Sequence, residues 1–387
     1  MILIVVKTLF ILLVVMLVFA PLITWIERKQ SAIMQDRIGA NRADLAGMAF
    51  LGLLHPAADL IKLLTKEDVV PAGANRFLHA IAPVIAAVPA IVAFAVIPYG
   101  GVYQLGESTV SLVAADIDWG VLYILLIGSL ATYGAVLAGW SSNSNWSILG
   151  SVRNTAQMIS YEVTMGLSLV GVFMVFGTLR LTDMAVAQDA TFRLFGFLEW
   201  LPQLPLPEWL RDVLGALRLP AWGIFVQPLG FLMFLTCIMA ENKRPPFDLP
   251  EADSELVAGY FTEYSGMRFG LFYMSEFIEV VVIAGLCSAI FLGGWAIPYL
   301  PQQTIIDGVA GFFGVGFATG LCMLLHVGCF FTKVAFMIWL QMLIRWSFPR
   351  FRYDQVMDLC WKKILPLSLA NIFVTAAVMV AIGAVGP

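Results

Sequence analysis

Between Ala240 and Gly266 the chain reads AENKRPPFDLPEADSELVAGYFTEYSG. Glu241, Asp248, Glu251, Asp253 and Glu255 crowd into this segment, Glu263 follows, and only Lys243 and Arg244 oppose them. Like charges packed together raise one another's proton affinity, and burial raises it further. Such a cluster titrates as a coupled unit. A charge run is ordinarily a solvated loop. Here Pro245, Pro246 and Pro250 stiffen the chain, and Phe247, Leu249, Tyr260, Phe261 and Tyr264 are out of place in free solvent. The segment is therefore expected to be structured and partly buried.

A second group of ionisable residues sits inside apolar runs. Glu162, Glu276, Glu279 and Lys333 all interrupt long hydrophobic stretches. Glu276 and Glu279 are three residues apart, which places them on one helix face. Each is expensive in hydrocarbon, so each should face a bundle interior or a water-filled cavity and is a proton- or ion-path candidate. A side chain near a helix end can instead snorkel to the interface. That ordinary explanation fits Lys7 and Glu162 better than Glu276 or Lys333.

The elements that must position these groups follow from composition. The chain has 387 residues, 60% of them hydrophobic and 12% charged. Soluble domains carry about 25% charged residues, so a water-soluble fold of this size could not cover its surface. The net charge of −4 argues against a nucleic-acid partner. The five cysteines (Cys237, Cys287, Cys322, Cys329, Cys360) form no CxxC pair, and His55, His79 and His326 are far apart. No metal site, iron–sulfur cluster or haem is expected in this chain, and no nucleotide-binding motif is present.

A spanning helix needs about 20 mostly apolar residues. Eight segments qualify: 2–26, 77–99, 119–140, 157–178, 222–240, 269–295, about 324–346, and 364–384. The fold class is thus an all-α polytopic membrane protein, one membrane domain over 1–387. With eight crossings, the connections 27–76, 141–156, 241–268 and 345–363 share one side and hold 7, 1, 3 and 5 basic residues, 16 of the 22 in the chain. Basic loops mark the cytoplasmic face, so both termini are expected to be periplasmic. The almost unbroken apolar stretch 305–346 is read as one crossing, with the Gly-rich 308–320 an outer extension or re-entrant piece. Residues 43–66 mix apolar residues with Asp44, His55, Asp59, Lys62 and Lys66, which suits an interfacial amphipathic helix kinked or broken at Pro56. Residues 180–221 are expected to form a short amphipathic helix or two on the outer surface.

The basic connections WIERKQSAIMQDRIGANRA (25–43) and RWSFPRFRYDQVM (345–357) mix arginines with polar and aromatic residues, and Gly39 permits a tight turn. Contact with lipid headgroups explains several of these residues. A cytoplasmic docking surface for soluble partners also fits a chain with no cofactor of its own.

Taken together, ERKQSAIMQDRIGANR, HPAADLIKLLTKE, QMISYE, RPPFDLPEADSELVAGYFTEYSGMRFGLFYMSEF and RFRYDQVM resemble the H subunit of bacterial NADH:quinone oxidoreductase, respiratory complex I. The resemblance runs from the first span to the last. It implies a multi-pass protein of the bacterial inner membrane, a translocase subunit that forms much of a quinone tunnel. It also implies an anchor for the peripheral-arm quinone-module subunits on the cytoplasmic side, with small membrane subunits packed laterally and lipids around them. Quinone is then the substrate, while FMN and iron–sulfur clusters belong to partner subunits. No residue of this chain is implied to be catalytic in its own right.

By the same resemblance, Arg28, Gln35 and Arg37 belong to the tunnel and docking wall, and Asp59 and Lys62 to the amphipathic helix beside the quinone entry. Arg244, Asp248, Glu251, Asp253 and Glu255 belong to the acidic loop beneath the quinone chamber. Glu162, Glu241, Glu263 and Glu276 lie on the acidic path toward the membrane arm, and Lys333 lies in the lysine-containing seventh span. Three departures stand out. The chain carries extra length at 179–221 and 303–325, Asp253 stands where Glu is expected, and Glu279 has no counterpart and so no family role. A membrane-bound hydrogenase anchor subunit and a stand-alone proton-coupled transporter remain the alternatives.

Overall fold

The computed structural model describes residues 7–10, 18–44, 47–48, 50–105, 108–193, 218–249 and 258–382. Its bundle is built from α1 (Ala20–Met34), α2 (His55–Thr65), α3 (Arg76–Ala93), α4 (Gly120–Ser141) and α5 (Asn145–Phe176), followed by α6 (Leu181–Ala187), α7 (Gly223–Val226), α8 (Pro228–Glu241) and α9 (Gly266–Phe291). The chain closes with α10 (Gln302–Phe313), α11 (Val315–Ser347), α12 (Tyr353–Asp358) and α13 (Leu365–Ile382). Among the described residues, six helices are long and apolar enough to cross a membrane. They correspond to the expected spans 77–99, 119–140, 157–178, 269–295, 324–346 and 364–384. Of 2–26, residues 7–10 and 18–26 are described and are helical.

Several expectations need correction. The stretch 222–240 is not one continuous helix. It divides at Gln227, whose φ of −133° and ψ of 63° interrupt α7 from α8, and α8 has 14 residues. Pro228 opens α8, where the missing amide hydrogen costs nothing. The connection 141–156 shrinks to 142–144 because α5 starts at Asn145 and runs 32 residues. Its polar side chains Ser147, Ser151, Asn154, Gln157, Ser160, Thr164 and Ser168 recur every three to four residues and are all buried. They give α5 a helix-packing face in place of a solvated loop. Two short antiparallel hairpins interrupt the all-helical scheme, β1 (Val102–Leu105) with β2 (Ser108–Ser111) and β3 (Thr191–Arg193) with β4 (Arg218–Pro220). Within 43–66, α2 covers only His55–Thr65 and Pro56 sits in its first turn, so the expected longer helix is broken at that point.

Within 305–346, Gly314 (φ 85°, ψ 157°) separates α10 from α11, and α11 is one uninterrupted helix of 33 residues. α9 is the axis of the molecule. Nearly every side chain from Ser275 to Phe291 is buried, and α3 and α11 pack along it. The bundle has two ends. The inner end, as we use the term, carries 27–44, 142–144, 242–249, 258–265 and 348–352. The outer end carries the hairpins, α6 and the turn 292–301.

Candidate functional site: carboxylates and arginines at the inner end

α1 delivers Glu27 to the inner end, where it is 11% exposed and faces two arginines. Arg244 Nη1 donates to both of its carboxylate oxygens, at 3.4 and 3.2 Å, and Arg345 Nη1 donates to Oε1. Arg244 also lies 4.5 Å over the Phe277 ring on α9, a cation–π contact that holds the guanidinium flat. One anion thus faces two cations, and the cluster keeps a net positive charge. In the sequence Glu27 stands out only as part of a basic anchor. Its position within ERK, immediately after the expected span 2–26, is the signal that could have found it.

The loop after α8 is held by an amide. Gln157 Nε2 donates to the carbonyls of Ala240 and Phe247, each at 2.8 Å. Further along, Asp248 accepts from Arg350 at 2.7 Å. Burial pushes the Asp248 carboxyl up to about 6, with Arg350 pulling the other way. Glu251, Asp253 and Glu255 lie outside the described residues. Where the chain resumes, Ser147 of α5 donates to the Tyr260 carbonyl at 2.9 Å. Gly150 faces Gly259 so closely that a Cβ on Gly150 would come within 2.8 Å of it. Only glycine allows this approach of helix to loop.

Tyr260 then links two charges. Lys243 Nζ donates to its hydroxyl at 3.4 Å, and the hydroxyl donates to Glu276 Oε1 at 3.1 Å. Lys243 and Glu276 are both buried. One helical turn further along α9, Glu279 lines a cavity together with Glu162 and Glu241. The cavity is about 40 Å³ in volume, enough for about three waters at 10–15 Å³ each. Gly128 and Ala131 of α4 leave the room for it. Ser129 donates to Glu162, while Glu241 Oε2 is buried without a hydrogen-bond partner among the described residues.

The quinone-tunnel residues expected from the sequence fall into separate pairs. Arg28 pairs with Asp59 at 2.5 Å, tying α1 to α2, and both side chains are 41% exposed. Arg37 donates to Gln35 at 2.9 Å and to Ser31. Gly39, at φ 75°, turns the chain there, and a Cβ on it would meet Ala32 at 2.6 Å. Lys62 is exposed on α2, and Glu263 is half-buried. Lys333 is not brought to the carboxylates. It donates to the carbonyls of Gly294 and Ala296 at 3.0 and 2.7 Å, 4.6 Å over the Trp222 ring, at the outer end. Sequence reasoning missed Glu27, Gln157, Tyr260, Arg345 and Arg350.

A mostly helical bundle with ionisable side chains buried along its helices defines a class, the polytopic helical membrane proteins. The profile of the family described as NADH dehydrogenase matches residues 6–376. The chain is 44% identical to the H subunit of NADH-quinone oxidoreductase from Thermomicrobium roseum, over 95% of this chain and 94% of that protein. It is 40% identical to the H subunit from Bdellovibrio bacteriovorus, over 93% of this chain and 91% of that one. An H subunit from Geobacter metallireducens is 43% identical, over 94% and 93%. The chain belongs to the family of NADH-quinone oxidoreductase H subunits.

Proposed function

We propose that this chain is the membrane subunit of a proton-pumping NADH:quinone oxidoreductase that walls much of the quinone tunnel, docks the peripheral arm and starts the acidic proton path. The observation that carries this reading is the convergence of Glu162 and Glu241 on one small cavity, beside the Glu27–Arg244–Arg345 cluster and the Asp248–Arg350 pair. In this reading the chain crosses the bacterial inner membrane eight times, with both termini periplasmic and the inner end cytoplasmic. FMN and iron–sulfur clusters reside in the partner subunits docked there. Small membrane subunits and lipids cover the lateral faces. The described parts of the insertions, 179–193, 218–221 and 303–325, lie toward the outer end, away from this site.

Arg28, Gln35, Arg37, Asp59, Lys62, Arg244 and Asp248 form the part of the tunnel wall contributed by this chain. The exposed α2 lies at the membrane surface beside the quinone entry. Reduction of quinone to quinol takes up electrons and protons, which changes the charge in the tunnel. Carboxylates nearby respond because their proton affinities depend on neighbouring charge. Asp248 is poised to respond first, since its carboxyl already titrates near 6. The chain Lys243–Tyr260–Glu276 and the cavity of Glu241 and Glu162 then pass the change inward, with Glu251, Asp253, Glu255 and Glu263 feeding them from the loop. A two-state element biased by such a charge change is sufficient for coupling.

The test uses the assembled complex in sealed vesicles. Glu241→Gln should lower quinone-linked NADH oxidation and proton uptake together, by roughly the 10²-fold of a lost acid–base group. Ferricyanide reduction by the peripheral arm should stay unchanged. The double replacement of Glu251 and Glu255 by Gln should act in the same direction. Unchanged pumping in assembled variants would overturn the reading.

A further inference from the structure

Glu279 has no family role by sequence, yet it stands at a junction. α9 places Glu276 and Glu279 on one face, three residues and about 4.5 Å of helix rise apart. Glu276 belongs to the chain that runs through Tyr260 to Lys243 and does not line the cavity. Glu279 lines it with Glu162 and Glu241. Among the described residues Glu279 accepts no hydrogen bond. A carboxylate kept for structure would be satisfied by donors. Glu241, whose Oε2 is buried without a partner among the described residues, lines the same space. The carboxylates of Glu162 and Glu279 both act electrostatically on that of Glu241. Among the described residues no three His, Cys, Asp or Glu side chains converge as a metal site does. The cavity is sized for a few waters, and water bridging unpartnered carboxyl oxygens is the arrangement that moves protons between them.

We propose that Glu279 is a proton-carrying residue that joins the Lys243–Tyr260–Glu276 chain to the Glu162–Glu241 cavity. The inference rests on the coupling function proposed above. In the transfer, the O–H bond of a protonated Glu276 carboxyl breaks. A new O–H bond forms on Glu279, directly or through cavity water, and the proton then passes from Glu279 to Glu241 or Glu162. No electrons change hands. Tyr260 remains the donor that restores the hydrogen bond to Glu276.

The experiment compares the assembled wild-type complex with Glu279→Gln, Glu279→Asp and Glu241→Gln variants in sealed vesicles. Quinone-linked NADH oxidation, proton uptake and ferricyanide reduction are read for each. Redox-induced infrared difference spectra are recorded in the carboxylic C=O region. Glu279→Gln should keep ferricyanide reduction. It should lower proton uptake about tenfold, less than the roughly 10²–10⁴-fold of an essential acid–base group, because Glu241 and Glu162 remain. Glu279→Asp should recover most of that loss, and the Gln variant should lack a C=O band that the Asp variant shifts. Wild-type pumping and an unaltered spectrum in Glu279→Gln would overturn the inference. If Glu241→Gln is silent as well, the coupling function itself fails. If Glu241→Gln is impaired and Glu279→Gln is not, only the role of Glu279 falls. Should the Gln variant not assemble, the shifted band and pumping of Glu279→Asp decide the matter alone.

Discussion

The two ends of the bundle treat buried polarity in opposite ways. At the outer end charges close on protein partners. Lys333 is spent on two carbonyls, and Arg180 forms a two-pronged pair with Asp116, which also accepts from Thr182 at 3.0 Å. The pairing with Arg180 holds the Asp116 carboxyl below its ordinary range. Tyr103 meets His326 at 2.7 Å in the same region. At the inner end the account does not close. Among the described residues, the buried side-chain atoms without a partner belong to Gln30, His79, Asn154, Gln157, Glu241, Asn242, Arg244, Asp248, Arg268 and Gln341. All ten lie toward the inner end. Native proteins leave few such atoms, and each asks for an explanation. Among the described residues the outer end closes on its own partners, whereas the inner end leaves buried polar atoms open.

Five substitutions, at Glu27, Lys333, Asp248, Arg350 and Arg28, sharpen or break that contrast. The largest effect is expected at Glu27. Glu27→Leu leaves two guanidiniums facing each other without their anion, and removing one partner of a buried pair costs about 3–5 kcal/mol. The assembled complex should melt earlier and lose quinone reductase activity, and an unchanged melting curve would show that the arginines are neutralised elsewhere. Next is Lys333→Met, which abandons two carbonyls and should cost about 2 kcal/mol. Here proton uptake per electron should stay normal. A coupling defect in a stable Lys333→Met complex would draw the outer end into the proton path.

Asp248 comes third and reads out with pH. Its carboxyl titrates at about 6 in the fold against an ordinary 3.8. The folded state therefore holds the proton more tightly. Stability from this group is full below the ordinary value and is lost as pH rises through about 6. Asp248→Asn should flatten that decline, worth on the order of 3 kcal/mol, in thermal melts taken across this window. Arg350→Gln should move the midpoint upward, because the positive partner is gone. A melt series for Asp248→Asn that keeps the wild-type slope would assign the titration to another group. Smallest is Arg28→Gln. Its pair with Asp59 is exposed, and such pairs contribute about 0–1 kcal/mol. A large loss of stability there would show that this surface is buried in the assembly.

Much of this arrangement is legible in the sequence. Apolar runs give six helices their places, and the scarcity of charge singles out Glu162, Glu241 and Glu276. What escapes has physical reasons. Glu27 sits among basic residues whose common duty is to anchor a helix end, and its pairing with Arg345 spans 318 positions, which local pattern does not encode. Gln157 carries no charge, so a search for ionisable groups passes over it. The break between α7 and α8 hides under uniform hydropathy, although Gln227–Pro228 marks it. The hairpins are three or four residues per strand, too short for an alternating pattern to register. The cavity exists only where α3, α4, α5, α8 and α9 converge, a property of packing.

The amide of Gln157 has one more consequence. It is the tie between α5 and both ends of the 240–247 turn, and an amide has no proton to gain or lose between acid and base. The carboxylates around it change charge while their mounting does not. Position and charge are therefore under separate control. A substitution such as Gln157→Glu would merge them, making the location of the loop itself answer to pH.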